Sequence, residues 1–490
     1  MNIAKNNSTR TFVLLTISLY LLLNAVSLVH HEPWRNEAQA WLIARDMDLP
    51  SMIFTQMGYE GTPALWHVLL VPFAKTGFPY ITASIIHLII ATAAVYVFLL
   101  RAPFSRAMKL LFVFSYYMGY QYSVVVRNYN ISILLLFLIA AFYGSRFRRP
   151  FVYALLVFLL FNTNVFVLSA AGGLVCLFVW ELRSEREIGR AGYAATGVMC
   201  LGALLALVQL WPPADGVAGG AILSPPGPGK VFRAVEMAFF VAPGEFYTYT
   251  AAALVIFTLA LLSIGRKPAV LFVALASYLG LFGIFMLRHG GFGRHYGFVL
   301  VILIFLLWLS SYYKNPGRPQ LSVAAFTLIN FCLLISVVFC LKRHYIEYHC
   351  LYSGGKDMAN FITENGLEDH TISAHMVAPT SSLLPYLPGK KFWYAAIGDY
   401  GTYNIGDKKH VDNRFIEPSE VTERTRKRFA GKTDVLLLLS DRSLRGSDLE
   451  DFELLHQTPE TDRQRFRGRA TRHMCAPQEK HFLYRYKGSE

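Results

Sequence analysis

Residues 320–341 read QLSVAAFTLINFCLLISVVFCL, and they decide the fold class because the stretch contains no Asp, Glu, Lys, Arg or His. An uncharged apolar run of about 18 or more residues is long enough to cross a bilayer as a helix. Comparable runs recur over residues 1–342, and 54% of the whole chain is hydrophobic while 16% is charged. This composition excludes a disordered chain and predicts a polytopic α-helical membrane protein.

Eleven transmembrane helices are predicted from these runs. They cover residues 11–29, 79–100, 106–124, 129–145, 150–163, 164–182, 191–211, 248–264, 268–287, 297–313 and 320–341. The first run is too long for the apolar part of a signal peptide, so it is kept as a helix. The tail, residues 343–490, has the polarity of a soluble domain.

The distribution of Lys and Arg predicts the orientation of these helices, because cytoplasmic loops of membrane proteins are enriched in both. With the N-terminus in the cytoplasm, fifteen Lys and Arg residues fall on six short cytoplasmic stretches. The short loops on the opposite side carry only Arg127, Arg288 and Arg294. The pattern therefore places the tail on the extracytoplasmic side.

The net charge of +14 has the same explanation. Residues 1–342 hold 24 Lys and Arg against 11 Asp and Glu, whereas residues 343–490 hold 22 against 21. The basic excess lies in the hydrophobic part, where topology accounts for it, so no nucleic-acid partner is expected. The cysteines show no metal-binding spacing, and Cys350 and Cys475 can pair if the tail is extracytoplasmic.

Two predicted outer loops are long, at residues 30–78 and 212–247. In the first loop, residues 37–46 and 64–74 mix apolar and polar residues with helical spacing, as helices lying in the membrane interface do. The second loop contains Pro225-Pro226-Gly227-Pro228-Gly229, which predicts a mobile loop.

The tail is predicted to be a small α/β domain. Its first helix covers residues 356–365 and is closed by Gly366. Residues 371–377 and 435–440 are expected to form short strands.

The predicted spans contain almost no ionisable side chain in their interiors, and His87 is the main exception. A proton- or ion-coupled transporter usually needs such groups inside the membrane, so the pattern counts against that class. Polar chemistry is therefore expected at one membrane surface, where the outer loops carry the candidate residues.

The first candidate site follows the first span directly, as His30-His31-Glu32-Pro33-Trp34-Arg35-Asn36-Glu37-Ala38-Gln39-Ala40-Trp41. It holds Glu32 and Glu37 near the outer end of a fixed helix, where a carboxylate can act as a general base on an acceptor hydroxyl. Asn36 can cap a helix that starts at Glu37. In the alternative interpretation, Glu37 only stabilises this helix N-terminus through the helix dipole.

The second and third candidate sites are basic. Arg127-Asn128-Tyr129 follows the tyrosine-rich residues 116–122, and an arginine fork suits a phosphate while tyrosines suit a sugar or lipid path. Residues 288–296 place two Arg and two His around a glycine-rich turn, where the backbone can approach an anion closely. The alternatives are an aromatic belt with a snorkelling arginine and a loop that contacts lipid headgroups.

Two weaker candidates complete the set. Residues 59–67, YEGTPALWH, contain Glu60 and form either a ligand contact or a turn between interfacial helices. Residues 393–403 of the tail include Trp393 in an aromatic and polar stretch that suits sugar stacking or the core of an α/β domain. A carboxylate and several arginines on one membrane face are suited to moving a group off a membrane-anchored phosphate.

With these motifs in this order, the chain resembles the GT-C superfamily of polyprenyl-phosphate-sugar-dependent glycosyltransferases. It looks closest to the bacterial branch related to protein O-mannosyltransferases and the lipid A aminoarabinose transferase. The resemblance covers most of the chain and includes the outer α/β tail. Its motifs are Trp34-Arg35-Asn36-Glu37-Ala38, Gly61-Thr62-Pro63-Ala64-Leu65-Trp66, Arg127-Asn128-Tyr129 and Arg294-His295-Tyr296.

The resemblance implies an inverting enzyme that takes a sugar from an undecaprenyl- or dolichyl-phosphate carrier, usually without a metal or another cofactor. The acceptor is expected to be a protein, a lipid or a polysaccharide, and the location a bacterial inner membrane. The predicted catalytic bases are Glu37 and Glu32. The predicted ligands of the donor phosphate are Arg127, Tyr129, Arg294, His295 and Arg288. The predicted acceptor or sugar contacts are Glu60, Tyr122 and Trp393.

The chain departs from the family at the acidic pair, which is often Asp-Glu and is Asn36-Glu37 here. Either Glu37 or Glu32 then serves as the base, or transferase activity has been lost. Two functions of other classes therefore stay open: a non-catalytic assembly or sensing protein, and a transporter or flippase for lipid-linked sugars.

Overall fold

The computed structural model describes residues 3–183, 189–216, 227–241, 248–265, 267–287, 291–314, 319–413, 416–432, 434–459, 477 and 479–487. Most of these residues are helical, and a sheet lies near the C-terminus. Within these ranges, seven helices are long and apolar enough to span a membrane. They are Asn7–His30, Ile81–Arg101, Val165–Leu182, Gly189–Gln209, Pro268–Leu287, Gly293–Ser310 and Gln320–His349. The chain therefore has the character of a membrane-embedded protein.

The part of the chain before the sheet is built from helices and two π-helical turns. The helices are α1 (Ile3–His30), α2 (Arg35–Asp46), α3 (Leu49–Ser51), α4 (Met57–Glu60), α5 (Leu65–Lys75), α6 (Ile81–Arg101), α7 (Arg106–Val113), α8 (Tyr129–Phe142), α9 (Pro150–Phe161), α10 (Leu168–Leu182), α11 (Gly189–Gln209), α12 (Pro228–Phe239), α13 (Thr250–Ser263), α14 (Pro268–Leu287), α15 (Gly293–Ser310) and α16 (Pro319–His349). The π-helical turns are Met52–Gln56 and Tyr117–Gln121. The two helices expected in the first outer loop are thus present as α2 and α5.

The other four predicted spans are not long helices. Three of them contain the shorter apolar helices α8, α9 and α13. The fourth, residues 106–124, divides into α7 and the second π-helical turn. Neighbouring helices bond the backbone here, because Tyr116 N donates to Ser336 Oγ at 2.9 Å and Tyr20 Oη donates to Met118 O at 2.9 Å. Ser336 thus bonds the backbone between α7 and the π-helical turn, and Tyr20 bonds the backbone of the turn itself.

The buried fraction of each helix distinguishes a central helix of the bundle from peripheral ones. The apolar window of α15 is 83% buried, so this helix forms the middle of the bundle. The window of α11 is only 28% buried, and its Leu201, Leu204 and Leu207 are exposed. Aliphatic side chains on an outer face are expected when lipid rather than water surrounds the bundle.

The polar connections at one end of the bundle contact one another. Arg146 Nη2 lies 2.9 Å from Glu181 Oε2, and the hydroxyls of Tyr143 and Tyr313 lie 2.6 Å apart. Helix ends next to three connections that are predicted to lie in the cytoplasm therefore meet at the same end.

The C-terminal sheet has six strands in the order β3-β2-β1-β4-β6-β5. The strands are β1 (Thr371–Ala374), β2 (Phe392–Tyr394), β3 (Asp399–Gly401), β4 (Val435–Ser440), β5 (Phe452–Gln457) and β6 (His481–Tyr486). Strands β2, β1 and β4 are parallel, whereas β3, β6 and β5 run antiparallel to their neighbours. The accompanying helices are α17 (Gly355–Glu364), α18 (Val377–Thr380), α19 (Lys408–Asp412) and α20 (Pro418–Arg428). The predicted first helix and two strands are present as α17, β1 and β4.

Helix α2 joins the bundle to the tail. Its Ala38 and Leu42, one turn apart, are buried in the core of the tail together with Leu383. Its Trp41 is buried in the core of the helix bundle. The two apolar faces of one short helix thus belong to different cores, which fixes the tail against the segment that follows α1.

Candidate functional site

The predicted outer loops meet at the end of the bundle that carries the tail. Leu65 N donates to Asn162 O at 3.2 Å. Asn128 Nδ2 donates to Thr62 Oγ1 at 2.7 Å and to Thr163 O at 3.1 Å. Loops that lie far apart in sequence are therefore held together by backbone and amide hydrogen bonds at this end of the bundle.

A buried charged triad lies at the centre of this end. His31 Nδ1 is 2.6 Å from Glu347 Oε1, and His31 Nε2 is 3.0 Å from Glu37 Oε2. Only a doubly protonated imidazole has a hydrogen for both carboxylates. Burial disfavours the charged ring, but Glu37 and Glu347 outweigh that effect and raise the pKa of His31 well above its ordinary value. The triad is thus an imidazolium between two glutamates.

Glu37 is completely enclosed by its hydrogen-bond partners. Besides the two contacts with His31, its Oε1 accepts from Val126 N at 2.6 Å and its Oε2 accepts from Trp34 N at 3.2 Å. The bond to Trp34 N caps the start of α2, and the bond to Val126 N fixes the chain just before Arg127. These contacts favour the helix-terminal role over the catalytic role predicted for Glu37, and the catalytic role stays a prediction.

Glu347 brings the last long helix into the triad. Its Oε2 accepts a hydrogen bond from the hydroxyl of Tyr120, and the ring of Tyr352 packs at 4.8 Å from the ring of His31. Neither Glu347 nor its neighbour Arg343 is among the site residues predicted from the sequence. The signal was the charged stretch at residues 342–349, where an otherwise uncharged span ends in KRHYIEYH.

A cavity of about 210 Å³, here called the arginine cavity, opens beside the triad. Its lining residues come from five separate segments and include no Asp or Glu. They are Trp34, Tyr116, Gln121, Val125, Arg127, Phe292, Gly293, Arg294, Arg343 and Tyr352. Two of its three arginines, Arg127 and Arg294, were predicted as phosphate ligands, and Arg343 on α16 was not. The lining carries a formal charge of +3, which suits an anion.

Two donors in this cavity have no acceptor among the described residues. Arg294 Nε and Trp34 Nε1 are both buried and unpaired. A buried donor without an acceptor costs about 1–3 kcal/mol, so such groups are uncommon unless a ligand or water satisfies them. The guanidinium of Arg294 also lies 5.8 Å from the ring centre of Trp34. An anion that accepts from both groups would remove the cost.

Three other predicted site residues form hydrogen bonds around the backbone of Arg294. His295 Nδ1 accepts from Phe292 N at 3.2 Å, while His295 Nε2 lies 3.1 Å from the hydroxyl of Tyr129. The hydroxyl of Tyr122 donates to Arg294 O at 2.7 Å. These contacts fix the start of α15, whose positive dipole end adds to the field of the arginines.

A second cavity, here called the Glu60 cavity, lies on the other side of Arg127. It has about 20 Å³ of space, enough for one water molecule. Its lining is mostly polar and consists of Asn36, Gln39, Ala40, Glu60, Thr62, Trp66, His67, Val126, Arg127 and Asn128. Arg127 therefore lines both cavities, and its Nη1 is anchored to Asn36 O at 2.5 Å.

Glu60 is the one carboxylate among the described residues that line the Glu60 cavity. Its Oε1 accepts from Gln39 Nε2 at 2.8 Å and from Gln56 Nε2 at 3.2 Å. Burial raises the pKa of Glu60, although the two amides and Arg127 act in the opposite direction. No described residue bonds Oε2, so that oxygen is left to accept a proton from a bound hydroxyl.

The remaining predicted site residues lie elsewhere. Glu32 is next to Lys356 and Asp357 of the tail, and burial raises its pKa to about 7. Trp393 is buried in the sheet against Phe429, with ring centres 5.3 Å apart. Neither Glu32 nor Trp393 lines the arginine cavity or the Glu60 cavity, and Arg288 lies outside the described residues.

Within the described ranges, no group of three or more His, Cys, Asp or Glu side chains is arranged to hold a metal ion. Cys350 is disulfide-bonded, and Cys475, the other cysteine of the expected pair, lies outside the described residues. Neither a protein-family model nor a curated protein matches this chain.

Proposed function

We propose that the chain is an inverting glycosyltransferase with a GT-C-like fold, which moves a sugar from a polyprenyl-phosphate-linked donor to an acceptor. The observation that carries the proposal is the arginine cavity, with three guanidinium groups, no carboxylate and two unpaired buried donors. A polyprenyl carrier delivers a phosphate at the membrane surface while its hydrocarbon chain stays in the lipid. The cavity and the apolar bundle together suit such a molecule.

The orientation belongs to the same proposal. We infer eleven spans, an N-terminus in the cytoplasm of a bacterium and a tail outside the inner membrane. The Lys and Arg distribution supports this orientation. The disulfide at Cys350 supports it as well, because disulfides persist in oxidising compartments.

In this mechanism the arginines bind the donor and stabilise the leaving group. Arg127, Arg294 and Arg343 hold the phosphate, and they neutralise the charge that develops on its oxygen as the bond to the sugar breaks. Trp34 donates its indole N–H to the same group. These donors are already in place before the reaction, so little reorganisation is needed.

Glu60 is the proposed base for the acceptor. Gln39 and Gln56 hold its Oε1, and its Oε2 accepts the proton of the acceptor hydroxyl as that oxygen attacks the anomeric carbon. Arg127 lines both cavities, and in this proposal the sugar lies beside it, between the phosphate and Glu60. Attack from the side opposite to the phosphate therefore inverts the configuration. The sequence favours Glu37 and Glu32 for this role, whereas the contacts favour Glu60.

The test is sugar transfer by the purified full chain in detergent. The donors are undecaprenyl phosphates that carry mannose, glucose, galactose or aminoarabinose, and a membrane extract supplies acceptors. We expect transfer that is lost in Glu60→Gln and kept in Glu423→Gln, an exposed tail residue that serves as the matched control. Loss in Glu37→Gln with a normal Glu60→Gln variant would return the role of base to Glu37.

A second function is favoured by one observation. Asn36 has a side-chain amide at a position where the GT-C superfamily often has an acidic residue. A neutral amide cannot accept the proton of the acceptor hydroxyl. In this alternative the chain binds a lipid-linked sugar for assembly or sensing without turnover. Donor binding without transfer in the wild type, followed by transfer in Asn36→Asp, would establish it. Donor movement across a vesicle membrane without a new glycosidic bond would instead indicate a flippase.

A further inference from the structure

The side chain of Gln39 connects α2, Glu60 and the tail through three hydrogen bonds. Its Nε2 donates to Glu60 Oε1 at 2.8 Å and to Asn404 O at 2.6 Å, and its Oε1 accepts from Asn404 N at 3.0 Å. Both hydrogens of Nε2 and one lone pair of Oε1 are therefore engaged. We call this arrangement the Gln39 bridge.

The main chain of Asn404 fixes the orientation of the amide. A flipped amide would place its NH₂ group against Asn404 N–H and its oxygen against Asn404 O, so both bonds would be lost. Only the observed orientation directs the second hydrogen of Nε2 towards Glu60. If the Gln39 amide lost this orientation, Gln56 alone would donate a hydrogen bond to the Glu60 carboxylate, and that bond is longer, at 3.2 Å.

The same part of the tail packs closely on the residue before Glu60. A Cβ atom at Gly406 would lie 3.0 Å from Tyr59 O, so the backbone of the tail approaches α4 without a side chain between them. Residues 404–406 thus contact both Gln39 and Tyr59. The position of the tail and the position of Glu60 are linked through two neighbouring contacts.

We propose that Gln39 is a positioning residue through which the docked tail holds Glu60 ready to accept the acceptor proton. This inference rests on the proposed function, because it assigns a task to the tail in the same reaction. The tail then acts on the chemical step and not only as a surface for the acceptor.

Other titratable and charged groups lie near Glu60 or on the elements packed against it, and Gln39 hydrogen-bonds none of them. Arg127 and His67 line the same cavity. On α4, the hydroxyl of Tyr59 donates to Asp215 at 2.6 Å. On the tail, Asp407 is paired with His410 at 2.7 Å. A change in the pH dependence of a Gln39 variant therefore reports the loss of the bridge.

The first experiment compares Gln39→Met, which has a similar length and no hydrogen bonds, with the wild type. It uses the undecaprenyl-phosphate sugar that gives the highest turnover. Gln39 donates to Glu60 and lowers its pKa. Its loss should move the acid limb of the kcat profile to higher pH and reduce kcat on the order of tenfold, with little change in the donor KM. An unchanged pH profile and kcat would overturn the inference, while an inactive Glu60→Gln variant would leave the proposed function standing.

The second experiment tests the tail through its backbone. Asn404→Pro removes the N–H that holds Gln39 Oε1, whereas Asn404→Ala keeps it. We expect the proline variant to behave like Gln39→Met and the alanine variant to behave like the wild type. Asn404→Pro should add nothing in a Gln39→Met background but should still act in a Gln56→Met background. Equal effects of proline and alanine would contradict a role for the tail.

Discussion

Arg343 gives the sharpest test of the arginine cavity, because the sequence analysis did not suggest it. The expected effect of Arg343→Gln is a weaker interaction with a polyprenyl phosphate. A hydrogen bond from a charged donor contributes about 1.5–3 kcal/mol, which corresponds to a dissociation constant about 10 to 150 times higher. The two other arginines remain, so binding should be weakened and not abolished.

The assay is binding of undecaprenyl phosphate to the full chain in phosphatidylcholine nanodiscs. Lys342→Gln is the matched control, because it removes the same charge from the neighbouring residue, which does not line the cavity. The salt dependence of binding should also become shallower in Arg343→Gln, since one cation fewer contacts the phosphate. Equal dissociation constants for Arg343→Gln and the wild type would refute the assignment of the cavity.

Three further predictions concern stability. His31→Leu leaves Glu37 and Glu347 buried without their cation, so it should reduce the free energy of unfolding by about 3–5 kcal/mol. Thermal unfolding should then show a lower Tm, and an unchanged Tm would argue against an ionised triad. Burial raises the pKa of Glu479 to about 7, so the folded chain binds this proton more tightly than the unfolded chain. Stability should therefore rise by up to about 3 kcal/mol as the pH falls from above 7 towards 4.5, and this dependence should be smaller in Glu479→Gln. Gly297→Ala places a Cβ atom 2.4 Å from the Tyr122 hydroxyl and should lower the free energy of unfolding by about 1–3 kcal/mol. Thermal unfolding can measure this loss, with Gly197→Ala at an exposed position as the control.

Hydropathy is sufficient for most of the helical architecture. Seven predicted spans are long helices, because an uncharged run of that length satisfies its backbone only as a helix when lipid surrounds it. Residues 106–124 are an exception, because they do not form one long helix. Where the long helix was expected, Tyr20 donates to the backbone and Ser336 accepts from it, and no local sequence pattern indicates these two contacts.

The candidate site was only partly accessible from sequence. Arg127 could be found because it is the one cation of a short loop between apolar spans, and Arg294 because a glycine-rich turn groups two Arg and two His. The pairing of His31 with Glu347 could not be found, because the partners are 316 residues apart and only packing brings them together. Glu37 and Glu60 are both acidic residues of one loop, and their different burial and partners separate their roles.

The contact between the first and the last long helix has a consequence for biogenesis. A ribosome releases His31 and Glu37 early, whereas Glu347 follows only after nearly all of the membrane part has been synthesised. Until then the first outer loop holds an imidazole and a carboxylate that lack their third partner. The triad therefore forms late during translation and insertion. A chain that stops before residue 343 lacks both Arg343 and the glutamate that completes the triad.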